Sequence, residues 1–132
     1  MDSLTLTVTN QTNPDVTILH LAGRLDTNTE SLLRERAIEL HQSGMRHFIL
    51  DLAQVEYVSS AGLRAIHQLY KAFTPANEIK TWNPGGEVFK SPYFKIANPS
   101  PNVYSVLNLA GFLHNISFFN NLQDAIASFK KQ

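Results

Sequence analysis

The sequence contains no cysteine. This absence excludes disulfide bridges, thiolate zinc sites, iron–sulfur clusters and cysteine nucleophiles. The chain also lacks an excess of charge of either sign, because 11 Lys and Arg balance 11 Asp and Glu. Nonspecific binding of nucleic acid needs a basic surface, so we expect no nucleic-acid partner.

Long apolar runs are missing as well. No stretch approaches the roughly 20 apolar residues that a helix needs to span a bilayer. The first ten residues alternate apolar and polar side chains, unlike the basic and apolar segments of a signal peptide. We therefore expect a cytoplasmic protein that inserts no segment into a membrane. Its 132 residues, 43% of them hydrophobic, suffice for one domain with its own core.

The sequence carries no common catalytic or cofactor motif. No two of its five histidines have the i,i+4 spacing of a helical zinc site, so we expect no bound metal. The histidines are His20, His41, His47, His67 and His114. The Gly-x-Ser-x-Gly motif of serine hydrolases is absent. His67 lies about 10 Å along a helix from Ser60, too far to accept the proton of the serine hydroxyl. Gly85-Gly86 lacks a surrounding phosphate-loop pattern. We expect neither an enzyme nor a cofactor.

Residues 4–22 are predicted to form a β-hairpin. Leucine and valine alternate with threonine over residues 4–8, which is typical of a strand with one solvated face. A second, more apolar strand is predicted over 16–22, and Asn13-Pro14-Asp15 supplies the turn between them. Gly23 is expected to end the second strand.

The first helix is predicted from its caps and periodicity. Thr27 and Glu30 have the spacing of a capping box, and leucines and alanines then recur at helical spacing. These features predict a helix over 28–42 that ends at Gly44.

The rest of the chain alternates strands and helices. We expect a connection over 54–60, and the least regular region over 74–92. The other predicted elements are strands over 47–52, 93–97 and 115–119, and helices over 60–74, 101–110 and 122–129. Alternation of this kind after a hairpin predicts an α/β fold with a mixed sheet and helices packed on it.

One junction has an unusual run of small residues. Ser59-Ser60-Ala61-Gly62 follows a predicted buried strand and opens the second helix. Free backbone N–H groups and the helix dipole favour an anion at such a place, and a phosphate attached to Ser60 would be stabilised there. The alternative is that one of the two serines is only a helix N-cap, a position that serine often occupies.

Several stretches together resemble a STAS domain of the bacterial anti-sigma factor antagonist type. They are Leu-Ala-Gly-Arg-Leu-Asp over 21–26, His-Phe-Ile-Leu-Asp-Leu over 47–52, Val-Glu-Tyr-Val-Ser-Ser-Ala-Gly-Leu-Arg over 55–64, and residues 97–103 with 109–112. The resemblance implies a single STAS domain over 1–132. Its fold would be a four- to five-stranded mixed sheet with about four helices packed mainly on one face.

The resemblance also implies a protein-binding switch. Antagonists of this family bind an anti-sigma factor that is also a serine kinase of the histidine-kinase ATPase-like type. Phosphorylation of one serine of the antagonist breaks the complex, and a PP2C-type phosphatase reverses it. The expected partners are therefore that kinase and that phosphatase.

Aligning the family motif on Gly62 and Leu63 assigns the phosphoacceptor. Ser60 then takes the acceptor position, while Ser59 replaces the usual aspartate and remains a possible second acceptor. Asp26 matches the acidic residue of the turn beside the site. The partner-binding residues implied in this way are Asp26, Thr27, Ser59, Ser60, Ala61, Gly62, Leu63 and Arg64.

Two other STAS functions remain as alternatives. A STAS scaffold subunit of a lipid-transport ATPase complex usually has an acid and a threonine around the acceptor position, unlike Ser59-Ser60-Ala61. A nucleotide-binding STAS module would need a phosphate loop.

The region 74–92 is longer than usual for the family and holds Trp82 and Phe89. It is interpreted either as a tolerated surface insertion or as a partner contact.

Overall fold

The computed structural model describes residues 3–78 and 90–130. Its centre is a five-stranded sheet in which the strands lie side by side in chain order. The strands are β1 (Leu4–Gln11), β2 (Val16–Leu25), β3 (Phe48–Val58), β4 (Phe94–Ala97) and β5 (Ser117–Phe119). β1 is antiparallel to β2, and the other neighbours are parallel. The predicted hairpin and mixed sheet are confirmed.

Helices connect the parallel strands. They are α1 (Glu30–Gln42), α2 (Ser60–Phe73), α3 (Pro101–Ala110) and, after β5, α4 (Leu122–Ala127). Helices α1, α2 and α3 connect successive parallel strands in the same direction along the sheet. Because such crossover connections share one handedness, the three helices lie on the same face of the sheet. Their buried residues form one large cluster with that face, while α4 belongs to a second cluster on the opposite face. The expectation that the helices pack mainly on one face is confirmed.

Three aromatic rings lie at the centre of the main core. Phe48 of β3 stacks on Phe73 of α2 with ring centroids 4.2 Å apart, and Phe94 of β4 meets Phe73 edge-on at 5.7 Å. All three side chains are buried. Such pairs contribute about 0.5–1.5 kcal/mol each beyond the burial of their apolar area. They fix the end of α2 against the middle of the sheet.

A buried lysine joins the sheet to the end of the chain on the other face. Lys95 in β4 is 8% exposed, and its Nζ donates to Ser128 Oγ at 2.8 Å. The same ammonium lies 4.1 Å from the centroid of the Phe129 ring. Burial lowers the pKa of Lys95, since removal from water disfavours the charged form. Its hydrogen bonds and the aromatic ring offset part of that cost and hold the turn after α4 on the sheet.

The predicted ends of two strands were wrong. β2 does not stop at Gly23 but continues to Leu25, and β3 continues past Leu52 to Val58. Gly23 adopts φ +117° at a shift of register between β2 and β3, and a Cβ there would lie 2.2 Å from the Ser3 carbonyl oxygen. The extension of β3 escaped prediction because its buried residues, Val55 and Val58, follow Leu52 at intervals of three rather than the two of a regular strand.

The predicted capping box was also wrong. α1 begins at Glu30, two residues later than expected, and Thr27 is exposed outside the helix. Thr29 occupies the N-cap position but does not cap with its side chain. Its hydroxyl instead donates to the Arg24 carbonyl at 2.6 Å and accepts from the Asp26 N–H at 3.0 Å. The helix therefore starts from a turn that is bonded back to the end of β2.

The other helix ends agree more closely with the sequence. α2 begins at Ser60 as predicted, and α3 begins at Pro101 and ends before Gly111, whose φ is +79°. β5 and α4 are shorter than the predicted 115–119 and 122–129. Most of the irregular region 74–92, including Trp82 and Phe89, lies outside the described residues.

A chain of polar side chains crosses the sheet on the face of α4. His20 Nδ1 lies 2.7 Å from Asp51 Oδ2, and His20 Nε2 lies 2.9 Å from Thr9 Oγ1. The other carboxylate oxygen of Asp51 accepts from the Ala53 N–H at 3.1 Å and from Asn98 Nδ2 at 3.2 Å. These partners assign the Nδ1–H tautomer to neutral His20, with Nε2 accepting from the threonine hydroxyl. The network links β1, β2, β3 and the residue after β4.

Asp51→Ala should lower the free energy of unfolding by about 1–3 kcal/mol. The substitution leaves three donors without an acceptor at a largely buried position. Thr9→Val removes only the exposed end of the network and should change stability by no more than about 0.5 kcal/mol. Urea unfolding of both variants measures the difference. Equal stability of Asp51→Ala and the wild type would contradict this role of Asp51.

Candidate functional site

Two strand ends and one helix start meet at the candidate site. Leu25 and Val58, the last residues of β2 and β3, are paired across the parallel ladder. The chain then continues directly into α2, and the Ser59 N–H donates to the Leu25 carbonyl at 2.9 Å. This bond brings the turn that begins at Asp26 beside the start of α2. The carboxyl edge of parallel strands is where α/β proteins commonly place their binding sites.

The two serines at the start of α2 have different environments. Ser59 is the N-cap, with extended backbone, and its Oγ accepts from the Gly62 N–H at 3.2 Å. Ser60 is the first residue of the helix and is exposed. Within the described parts of the chain its hydroxyl forms no hydrogen bond. The N-cap interpretation of the sequence therefore applies to Ser59 and leaves the hydroxyl of Ser60 accessible.

A glycine allows α2 to start directly against the end of β2. Gly62 is buried, and a Cβ at this position would lie 2.6 Å from the Leu25 carbonyl oxygen. It would also lie 3.0 Å from Leu25 Cγ and from Val58 Cγ1. Real Cβ atoms do not come so close to a backbone oxygen. The position of Ser60 relative to the sheet therefore depends on the absence of a side chain at residue 62.

Asp26 shapes the turn between β2 and α1. Its Oδ1 accepts from the Asn28 N–H at 3.0 Å, and its carbonyl accepts from the Glu30 N–H at 2.9 Å. This arrangement is an Asx turn that leads into a helix. The side chain is half-buried, and the neighbouring Thr27 is exposed. Asp26 thus organises the loop whose exposed residues flank the start of α2.

Arg24 and Tyr57 extend the site, and the sequence reasoning missed both. The Arg24 guanidinium carbon lies 4.3 Å from the centroid of the Tyr57 ring, and Arg24 Nε is 3.8 Å from Asp26 Oδ2. Tyr57 remains 42% exposed. The two residues are direct partners in the β2–β3 ladder. They were missed because both positions were assigned to segments beyond the predicted strands.

An open groove of about 500 Å³ runs from Ser60 along the side of α2 to the end of α3. We call it the Ser60 groove; it is lined by Ser60, Leu63, Arg64, His67 and Ala110. Burial, and then the positive charge of Lys71, lowers the pKa of His67. Leu109, next to Ala110 on α3, is 85% exposed. The groove thus combines a hydroxyl, a guanidinium and an imidazole with an adjoining exposed apolar side chain.

The partner-binding residues implied by the sequence do not all face solvent. Thr27, Ser60 and Arg64 are exposed, whereas Gly62 is buried. Asp26, Ser59, Ala61 and Leu63 are half-buried. The eight residues are nevertheless contiguous, since they occupy only the turn after β2 and the first turns of α2.

Within residues 3–78 and 90–130, no three histidine or acidic side chains come together as a metal site would require. In the same part of the chain, every helix is too short or too polar to cross a membrane.

Comparison with known proteins identifies the family. A family model described as the STAS domain matches residues 7–80, which is more than half of the chain. The chain belongs to the STAS domain family. This STAS domain is 30% identical over 103 residues to BtrV of Bordetella bronchiseptica, by its name a candidate anti-sigma factor antagonist. The match covers 78% of this chain and 76% of BtrV.

Solved structures share the fold of this STAS domain. An anti-sigma factor antagonist from Mycobacterium paratuberculosis superposes with a TM-score of 0.76 at 19% identity, covering 98% of this chain and 97% of that one. SpoIIAA, an anti-sigma factor antagonist, superposes in its unphosphorylated form with a TM-score of 0.60 at 14% identity, covering 97% and 100%. Its phosphorylated form, from Bacillus, gives 0.59 at 16%, covering 93% and 97%. The expected fold is confirmed.

Gly62→Ala should lower the free energy of unfolding by about 1–3 kcal/mol, because the added methyl collides with the backbone of β2 and forces α2 to move. Alanine has a higher helix propensity than glycine, which offsets about 1 kcal/mol of this cost and is already included in the range. Ser60→Ala is the matched control, since it alters an exposed side chain in the same turn and should leave the melting temperature unchanged. Thermal unfolding followed by circular dichroism measures both. A fully stable Gly62→Ala protein would show that the close approach of α2 to β2 is not required.

Proposed function

We propose that this STAS domain is an anti-sigma factor antagonist that binds an anti-sigma factor serine kinase and is released when Ser60 is phosphorylated. The observation that carries the proposal is the difference between the two serines at the start of α2. Ser59 is committed to the helix cap, whereas Ser60 presents an exposed hydroxyl on the first turn. A kinase needs an accessible hydroxyl, and of the two serines Ser60 is the one that supplies it without the loss of a cap.

The proposed partners follow from the family. The kinase would have the histidine-kinase ATPase-like fold, and a phosphatase of the PP2C type would remove the phosphate. The name of BtrV and the two forms of SpoIIAA support a phosphorylation-controlled interaction. This STAS domain would then act in the cytoplasm by binding and would catalyse no reaction itself.

The proposed contact surface surrounds Ser60. The exposed residues Thr27, Ser60 and Arg64 would touch the kinase directly. Gly62 is buried, so its contribution would be to set the position of the helix rather than to make a contact. Aromatic residues and arginine are enriched where binding energy concentrates in interfaces. We therefore add the exposed ring of Tyr57, which stacks with Arg24, to the proposed surface.

Phosphorylation would act through charge and bulk. A phosphoserine adds about −1.5 to −2 charges near neutral pH. At the start of a helix this charge lies in a favourable field, so the domain would stay folded. A like charge on the kinase about 5 Å away would oppose binding by roughly 3 kcal/mol at an effective dielectric near 20. Screening at an exposed site reduces that to about 1–3 kcal/mol, which corresponds to roughly 5- to 150-fold weaker binding.

Incubation with the cognate kinase and ATP should add one phosphate, and peptide mass spectrometry should locate it on Ser60. Ser60→Ala should abolish the modification, because no other hydroxyl of the site is exposed on the first turn. Ser59→Ala should still be phosphorylated, although loss of its cap should destabilise the domain by about 1 kcal/mol. Phosphorylation that survives in Ser60→Ala and disappears in Ser59→Ala would show that Ser59, and not Ser60, is the phosphoacceptor.

The same variants test the switch by calorimetric titration with the kinase. Ser60→Asp should bind roughly 5- to 150-fold more weakly than the wild type, with a nearly unchanged melting temperature. Ser60→Ala should bind as well as the wild type, because it adds neither charge nor bulk. If Ser60→Asp and the wild type bind equally well and both are folded, the domain is a scaffold that does not switch.

Leu109→Ala should weaken kinase binding about 5- to 30-fold without lowering the melting temperature. Leu109 immediately precedes Ala110, a lining residue of the Ser60 groove, and its side chain is 85% exposed, so its truncation costs the fold nothing. The truncation would remove an apolar contact with the kinase. Met45→Ala is the matched control, since Met45 is an exposed apolar residue before β3, at the opposite edge of the sheet. Equal losses of affinity in both variants would show that Leu109 is not part of the surface that contacts the kinase.

A further inference from the structure

A guanidinium and an imidazole lie on the same side of α2 as Ser60. Arg64 and His67 follow Ser60 by four and seven residues, and all three line the Ser60 groove. Ser60 and Arg64 are four residues apart and are therefore neighbours on the helix surface, as are Arg64 and His67, which are three apart. Ala110, the lining residue from α3, adds no charge. A group attached to Ser60 that extends along the groove therefore meets the charged side chain of Arg64 before it reaches His67.

Arg64 differs from the two arginines of α1. Arg34 pairs with Glu30 and Arg36 pairs with Glu39, both on α1. Arg64 is exposed, and it forms no ion pair or hydrogen bond with the described residues. Its guanidinium is thus available for an anion.

We infer that Arg64 binds the phosphate of phosphorylated Ser60 within the same molecule. The inference rests on the proposed function, because that function makes Ser60 the residue that is phosphorylated. The rise of an α-helix places the two residues about 6 Å apart along its axis. An arginine side chain spans that distance, and its paired N–H groups match two phosphate oxygens.

The inference depends on the side chain of Arg64 rather than on the helix start itself. Two of the N–H groups there already have acceptors, since the Ser59 N–H donates to the Leu25 carbonyl and the Gly62 N–H donates to Ser59 Oγ. Binding of the phosphate by Arg64 would also withdraw that guanidinium from the kinase. Phosphorylation would then both add a negative charge to the contact surface and neutralise a positive one.

Phosphorus NMR on protein with phosphoserine incorporated at position 60 by genetic encoding tests the inference without a kinase. A free phosphoserine has a second pKa near 6. A neighbouring guanidinium favours the dianion, so Arg64→Ala should raise this pKa by about 0.15–0.4 unit relative to the phosphorylated wild type. Arg64→Lys should give an intermediate value, because an ammonium supplies charge without paired donors.

Other titratable and charged groups around the phosphate are controlled in the same experiment. They are His67 on α2, the Glu30–Arg34 pair on α1, Arg24 at the end of β2 and Asp26 in the turn after it. His67→Gln measures the contribution of the imidazole to the pKa of the phosphate. All of these groups are present in both the wild type and Arg64→Ala, so they do not contribute to the difference between the two proteins. Arg36→Ala, which removes a distant exposed arginine of α1, should titrate like the wild type.

An unchanged phosphate pKa in Arg64→Ala, or an equal change in Arg36→Ala, would overturn the inference. The outcome is separate from that of the proposed function, because the phosphoserine is incorporated during translation and no kinase is involved. Failure of the kinase to modify Ser60 would refute the proposed function, while the titration would still decide whether Arg64 binds a phosphate at this position.

Discussion

The hydrogen bond from the Ser59 N–H to the Leu25 carbonyl joins the parts of the site. It ties the start of α2 to the end of β2, a strand two places earlier in the chain. The missing side chain of Gly62 is what allows the helix to approach the strand closely enough for this bond. If α2 began one turn further from the sheet, neither the turn at Asp26 nor the Ser60 groove would have its present shape.

The same arrangement gives two adjacent serines different environments. Ser59 satisfies the helix start, so the fold makes no demand on the hydroxyl of Ser60. A phosphate at residue 60 would therefore change the surface charge and leave the packing intact. Arg64, one turn along, determines how much of that charge a partner would encounter. Such a switch needs no alternative conformation of the domain.

Patterns that are local in the sequence predicted the structure well. The start of α2 at Ser60, the Pro101 start of α3 and the glycine that follows α3 depend on residues within a single turn, and they were predicted. The family resemblance supplied the fold and drew attention to Ser60. Its assignment of Ser60 as the phosphoacceptor stays a prediction.

Features that depend on pairing between distant residues were not predictable from one sequence. The extension of β3 to Val58 exists because β2 continues past Gly23 and provides its partner. The stacking of Arg24 on Tyr57 follows from that pairing. The start of α1 was misplaced because the hydroxyl of Thr29 bonds back to the strand end, an interaction that competes with the capping box predicted at Thr27.

A buried pair of hydroxyls has a consequence for how the chain can vary. Thr74 follows α2 and Ser91 precedes β4, and their oxygens are 2.7 Å apart with each residue 1% exposed. This contact fixes how far the end of α2 lies from the start of β4. Lengthening a loop whose ends are already held together costs little entropy, so the contact would keep α2 and β4 in place whatever the length of the chain between them.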